Sequence, residues 1–169
     1  MIVSAGAAFL PSCFQQKDAA VFPLKNIRLT ADEQNMLAAL ATAILPKTNS
    51  FIGAADLKAH EFVLTMMDDC SSPDEQQQFL QGMKVFKQYS KQVMGVDFTK
   101  ANNAQIQQLL TNLDAKESSA AKEAVSFYQT VKKYTVQCFT SSKQYMTEVR
   151  HYNIIPGSKF KGCVPVKKA

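Results

Sequence analysis

The chain has 169 residues, 46% of them hydrophobic and 20% charged, with only 6 glycines and 6 prolines; one packed domain fits this length and wholesale disorder does not. Two histidines, no tryptophan and four widely spaced cysteines supply few parts for a metal centre or an acid–base machine, so an enzyme is the minority reading. The net charge of +5 is uneven, with 10 Lys or Arg against 12 Asp or Glu in residues 1–119 and 9 against 2 in residues 120–169, so the basic character belongs to the last third.

Met1 to Leu10 is apolar, small and uncharged, and too short to cross a hydrocarbon layer of about 30 Å. It reads as the hydrophobic part of an export signal, and without the basic residues that normally precede such a segment the expectation is an upstream start or a trimmed chain. Leu10-Pro11-Ser12-Cys13 follows. It resembles a bacterial lipobox, apart from Pro11, and makes Cys13 the lipidation candidate; the alternative is an ordinary hydrophobic N-terminus with a free thiol. Residues 1–13 are thus assigned to a partial export or lipoprotein signal. Residues 14–28, with Pro23 and no helical stripe, are assigned to a linker, and residues 29–169 to the folded domain.

The domain reads as consecutive helices. Thr30-Ala31-Asp32-Glu33 has the form of a capping box, followed by Met36, Leu37, Leu40 and Ile44 at helical spacing and by Pro46 as a stop. A second stripe after Gly53-Ala54-Ala55 carries Leu57, Val63, Leu64 and Met67 and leads to Cys70. Ser72-Pro73-Asp74-Glu75 combines an N-cap, a proline at the first helical position and a reciprocal glutamate. Phe79, Leu80, Met83 and Phe86 follow on one face, and Gly95 ends that helix. A short helix is predicted from about Asn103 to Leu113, and the longest pattern from about Ser119 to Phe139. After Ser141-Ser142, Tyr145, Met146, Val149 and Tyr152 predict one last amphipathic helix. The predicted class is all-α: a single-domain bundle of about five to six helices with an irregular C-terminal tail.

That tail, from Asn153, has two prolines, two glycines and no period, yet carries Ile154, Ile155, Phe160, Val164 and Val166. Such a segment packs against its own bundle or against another protein. In an oxidising compartment Cys70, Cys138 and Cys163 are the disulfide candidates, giving one bridge and one free thiol. Cys70 with Cys163 is the favoured pair, since both are read in flexible segments.

The order of Leu29-Thr30-Ala31-Asp32-Glu33, Ile44-Leu45-Pro46, Phe79-Leu80-Gln81-Gly82-Met83 and the close through Tyr152, Pro156-Gly157, Phe160 and Gly162-Cys163-Val164-Pro165 resembles the gluconate 2-dehydrogenase subunit 3 family over about residues 29–166. The chain departs from that pattern at Cys138-Phe139-Thr140-Ser141, where the family tends to have Gly-Tyr-Thr-Ser. The resemblance implies a small accessory subunit of a membrane-bound dehydrogenase, whose large flavoprotein subunit carries FAD and whose further partner is a cytochrome c subunit. It implies a role in export, maturation and stability; together with the export segment and Cys13, the expected place is the periplasmic face of a bacterial membrane, with a lipid anchor holding the chain there. Tyr152, Pro156, Gly157, Phe160, Gly162, Cys163 and Pro165 are the candidate partner contacts, against the alternative of packing within the chain. No catalytic, metal or cofactor-binding residue is expected: the sequence has neither Gly-x-Gly-x-x-Gly nor Cys-x-x-Cys-His.

Competing readings attach to several residues. His60-Glu61 with Asp68-Asp69 suggests a carboxylate–histidine metal site, against ordinary surface residues. Cys138 or Cys163 as a nucleophile needs a nearby histidine, and structural use is the better reading. Met36, Met66, Met67, Met83 and Met94 read as core filler before an adaptable groove. The basic residues of the last third contain one arginine, Arg150, and match no nucleic-acid reader motif; no nucleic-acid partner is expected, and an acidic protein surface or anionic membrane fits better. The alternative function is a stand-alone helical envelope lipoprotein that binds an apolar ligand or acts as a scaffold.

Overall fold

The computed structural model describes residues 22–115 and 122–152. Within them lie five α-helices: α1 (Ala31–Ile44), α2 (Ala59–Cys70), α3 (Pro73–Met94), α4 (Asn103–Asp114) and α5 (Lys122–Thr140). No strand occurs among the described residues, so the all-α expectation holds.

The helix starts follow from local chemistry. Thr30 and Ser72 each accept the backbone N–H three residues on, while Glu33 and Glu75 reach back to the N–H of the cap residue. Asn102 and Gln105 make the same reciprocal pair for α4. Each such cap contributes about 1 kcal/mol. Gly95 ends α3 at φ 72°, a left-handed conformation that costs glycine little, and donates its N–H to Lys91 O.

Helix α5 is the hub, packing on α3, α2 and α1. Its closest approach is to α3 at Gly82, where a Cβ would lie 2.7 Å from Glu123 O and 2.8 Å from Phe127 Cβ. The missing side chain lets the two backbones meet and stacks an aromatic column between them: Phe79–Phe127 at 5.0 Å, Phe86–Phe127 at 5.3 Å and Phe86–Phe98 at 5.6 Å between centroids. Met36, Met67, Met83 and Met94 are buried in the same core, which favours the core-filler reading of the methionines.

Three local expectations need correction. Helix α2 begins at Ala59, because Lys58 is left-handed (φ 50°) and separates Leu57, which lies in a turn, from the helix. Cys70 is the last residue of α2 and not part of a flexible segment. The last predicted helix is present as a short helical segment over residues 143–149 that is π-helical at Tyr145–Val149 and has no buried residue; the Arg150 N–H reaches back five residues to Tyr145 O and the Tyr152 N–H six to Met146 O.

The described part of the linker, residues 22–28, is fastened to the bundle. Asp68, only 4% exposed, accepts the N–H groups of Lys25 (2.7 Å), Asn26 (2.7 Å) and Ile27 (2.8 Å) on its carboxylate. Three consecutive amides make a small anion cradle. The Asn26 amide donates to Asp68 O at 2.7 Å, and Gln34 exchanges two hydrogen bonds with the backbone of Phe22 at 2.7 and 3.1 Å. Ile27 and Leu29 thereby enter the core.

Candidate partner-binding surface

The end of the molecule where α1 stops, α2 starts and α5 stops is built from a loop and a turn. Pro46 disfavours a helical Leu45. The chain leaves α1 there and closes a loop in which Ala54 donates to Leu45 O at 2.9 Å, and Thr48 and Phe51 exchange backbone and side-chain bonds at 3.0 Å. Gly53 is required, because a Cβ would sit 2.6 Å from Lys47 N. Asp56 braces the closure by accepting the Gly53 N–H at 2.9 Å and pairing with Lys47 at 3.0 Å. Those contacts, the Gly53 N–H first, hold its carboxyl below the usual carboxylate range.

Gln144, at the head of the π-turn, joins this loop to the chain beyond α5. Its Oε1 accepts the Ile52 N–H at 3.1 Å, and its Nε2 donates to Ser50 O at 3.4 Å and to Glu148 Oε2 at 3.0 Å. Above this brace three aromatic rings stack in series: Phe51 edge-on to Phe139 at 6.1 Å, and Phe139 tilted against Tyr145 at 5.3 Å. The helix end questioned by the Cys138-Phe139-Thr140-Ser141 departure runs on through Thr140 and supplies the middle ring.

Four apolar side chains here face solvent, while Phe139, Tyr145 and Met146 are half-buried. Phe51 is 36% exposed, Val136 44%, Val149 42% and Tyr152 55%. Tyr152, a candidate partner contact, therefore does not pack within the described part of the chain. Pro156, Gly157, Phe160, Gly162, Cys163 and Pro165 lie outside the described residues, as do Cys13 and the export segment. Phe51, Phe139 and Gln144 were not singled out from sequence. The loop and the turn are more than 90 residues apart in the chain, and only the fold brings them together.

The other sequence candidates have separate fates. Asp68 faces the arm 25–27. Its burial pushes the carboxyl up, but the N–H groups of Lys25, Ile27 and Asn26 outweigh this and hold it below its ordinary value. Asp69 pairs with Lys25 at 3.5 Å. Burial lowers the His60 imidazole, with Glu61 opposing. No cluster of three His, Cys, Asp or Glu residues suited to a metal occurs among the described residues.

Cys70 is exposed and Cys138 half-buried, and both are free thiols, so the pairing that joins these two is not formed. Cys138 packs on the small cluster of Ala41, Ala54 and Ala59, and burial pushes its thiol up, unlike an activated nucleophile. An open cleft of about 740 Å³ along α3 and the start of α5 is lined by Asp74, Gln77, Leu80, Gln81, Lys84 and Lys122 among others. No helix among the described residues is long and apolar enough to cross a membrane.

Compared with known families, residues 31–157 match the one described as gluconate 2-dehydrogenase subunit 3. Comparisons with curated proteins and with solved structures gave no match. Since the match spans most of the chain and the fold is the helical bundle the resemblance implied, the protein belongs to the gluconate 2-dehydrogenase subunit 3 family.

Proposed function

We propose that this chain is a non-catalytic small subunit that binds and stabilises a flavin-dependent sugar or sugar-acid dehydrogenase of the glucose-methanol-choline type and assists its export or maturation. The observation that carries this reading is the family match over residues 31–157. In it the FAD resides in the large subunit, a cytochrome c subunit is a further partner, and this chain works at the periplasmic face of a bacterial membrane, anchored through lipid on Cys13. Tyr152, Pro156, Gly157, Phe160, Gly162, Cys163 and Pro165 are its partner contacts.

The mechanism is thermodynamic linkage. A subunit that binds the folded dehydrogenase and not the unfolded chain stabilises it by about 2.7 kcal/mol when its free concentration is a hundredfold above Kd. The test is affinity purification of the tagged full chain from its native envelope in mild detergent. Co-elution of a flavin-bearing polypeptide with dye-linked oxidation of gluconate or a related sugar is expected. Recovery of the chain with no flavoprotein and no such activity contradicts the proposal and leaves the stand-alone lipoprotein.

A further inference from the structure

We infer that the solvent-facing end formed by Phe51, Phe139, Tyr145, Val149 and Tyr152 is the surface on which the dehydrogenase large subunit docks, through an apolar patch with an acidic rim. The inference rests on the accessory role proposed above and names the face that performs it.

Four independent features converge on this end. Tyr145–Val149 is a π-helical turn, a rare conformation that concentrates at functional sites. His151 beside it is left-handed at φ 48°, a strain that non-glycine residues carry only where the surroundings hold them to it. The turn contains Tyr145, Met146 and Val149 and is followed by Tyr152; the first two are only half-buried and the last two are exposed, so much of its apolar surface is left uncovered. Finally, Gln144 fixes Phe51 and the turn in one frame through Ile52 and Ser50, so the rings are presented in place and little ordering entropy is lost on docking.

Charge selects the occupant. Lys143 and Arg150 flank the turn, exposed, and the one acid between them, Glu148, keeps its charge while accepting from Gln144, so the three together are net positive. A second copy of this chain in two-fold contact would bring this net positive charge against itself, since the same patch faces itself across such an axis. A surface with carboxylates around an apolar centre receives both the rings and the cations.

The test uses the purified complex of the full chain with its flavoprotein subunit and compares Val149→Asp and Arg150→Glu with Val93→Asp, a control. Val93 is equally exposed but near the far end of α3: Lys133 and Tyr134, late in α5, lie beside Glu75 at the start of α3, so the two helices run in opposite directions. Melting temperatures of the free variants are measured alongside, since these side chains carry little folding energy. Val149→Asp is expected to weaken binding at least about tenfold, as loss of an interface anchor does. Arg150→Glu is expected to slow association at low salt and to flatten its salt dependence, with Val93→Asp like wild type. If both face variants bind like wild type, the inference fails and the accessory role stands. If the wild type binds no flavoprotein, the accessory role fails and takes the inference with it. Binding to vesicles rich in anionic lipid, or self-association, that Val149→Asp abolishes while leaving the complex intact assigns the face elsewhere and overturns the inference.

Discussion

Replacing Asp68 by Asn removes the charge from the arm clasp while leaving the shape of the side chain. The carboxylate holds three N–H groups at 2.7–2.8 Å: Oδ1 takes those of Asn26 and Ile27, and Oδ2 that of Lys25. In Asp68→Asn the Oδ1 bonds survive as neutral ones, each weaker by about 1 kcal/mol, and an NH₂ group now confronts the Lys25 N–H, leaving a donor unpaired at about 1–3 kcal/mol. The expected loss is about 3–5 kcal/mol, a fall in Tm of roughly 6–20 °C for a chain of this size. Thermal melts at neutral pH measure it, and hydrogen exchange at the amides of residues 25–27 shows that the arm is what loosens.

The sign of the pH dependence gives an independent check. The folded carboxyl sits below its ordinary value, so its contribution is complete above the unfolded value of about 3.9 and is lost as pH falls through that value toward the folded one. The stability difference between wild type and Asp68→Asn is therefore expected to be flat from pH 5 to 8 and to shrink below about 4. A Tm change under about 2 °C, or a difference that grows on acidification, refutes the clasp as a stabilising element.

Other substitutions probe the rest of the fold. Gly82→Ala drives a methyl group into Glu123 O and Phe127 Cβ and is expected to destabilise by about 1–3 kcal/mol in denaturant titrations, because backbone of α5 must shift. The Thr135 hydroxyl is buried without a hydrogen-bond partner among the described residues; Thr135→Val is expected to raise stability by about 1 kcal/mol, and a fall of that size would show a hidden partner. With Cys13 and Cys163 replaced by Ser, thiol titration at pH 8 is expected to be biphasic. Exposed Cys70 reacts first, and Cys138, shielded and pushed up by burial, reacts slowly.

What the sequence made legible was local. The Thr30–Glu33 and Ser72–Glu75 pairs, Pro46 and Gly95 act within one helical turn, and the apolar stripes of α1, α3, α4 and α5 mark their buried faces because helical spacing is a local rule. Asp68 was read as a possible metal ligand because its partners, the amides of Lys25, Asn26 and Ile27, are more than 40 residues away and leave no pattern in side-chain types. For the same reason residues 22–28 read as linker. The turn at Tyr145–Val149 strained the periodicity argument: Tyr145, Met146, Val149 and Tyr152 have helical spacing, but neighbouring elements half-cover only the first two and leave Val149 and Tyr152 exposed. Periodicity specifies a face to be buried; it does not say whether this chain or another one buries it.

Hydrogen exchange of the full chain, alone and in complex with its flavoprotein subunit, bears most directly on the accessory role and its docking face. Free chain is expected to exchange quickly at Phe51 and from Tyr145 to Tyr152 and onward through the C-terminal residues, and to gain strong protection at those amides on assembly, with the amides of α3 and α4 unchanged. Protection there in the isolated chain equal to that of the helical core, or protection on assembly confined to other elements, would mean that this end needs no partner and that the dehydrogenase is held elsewhere.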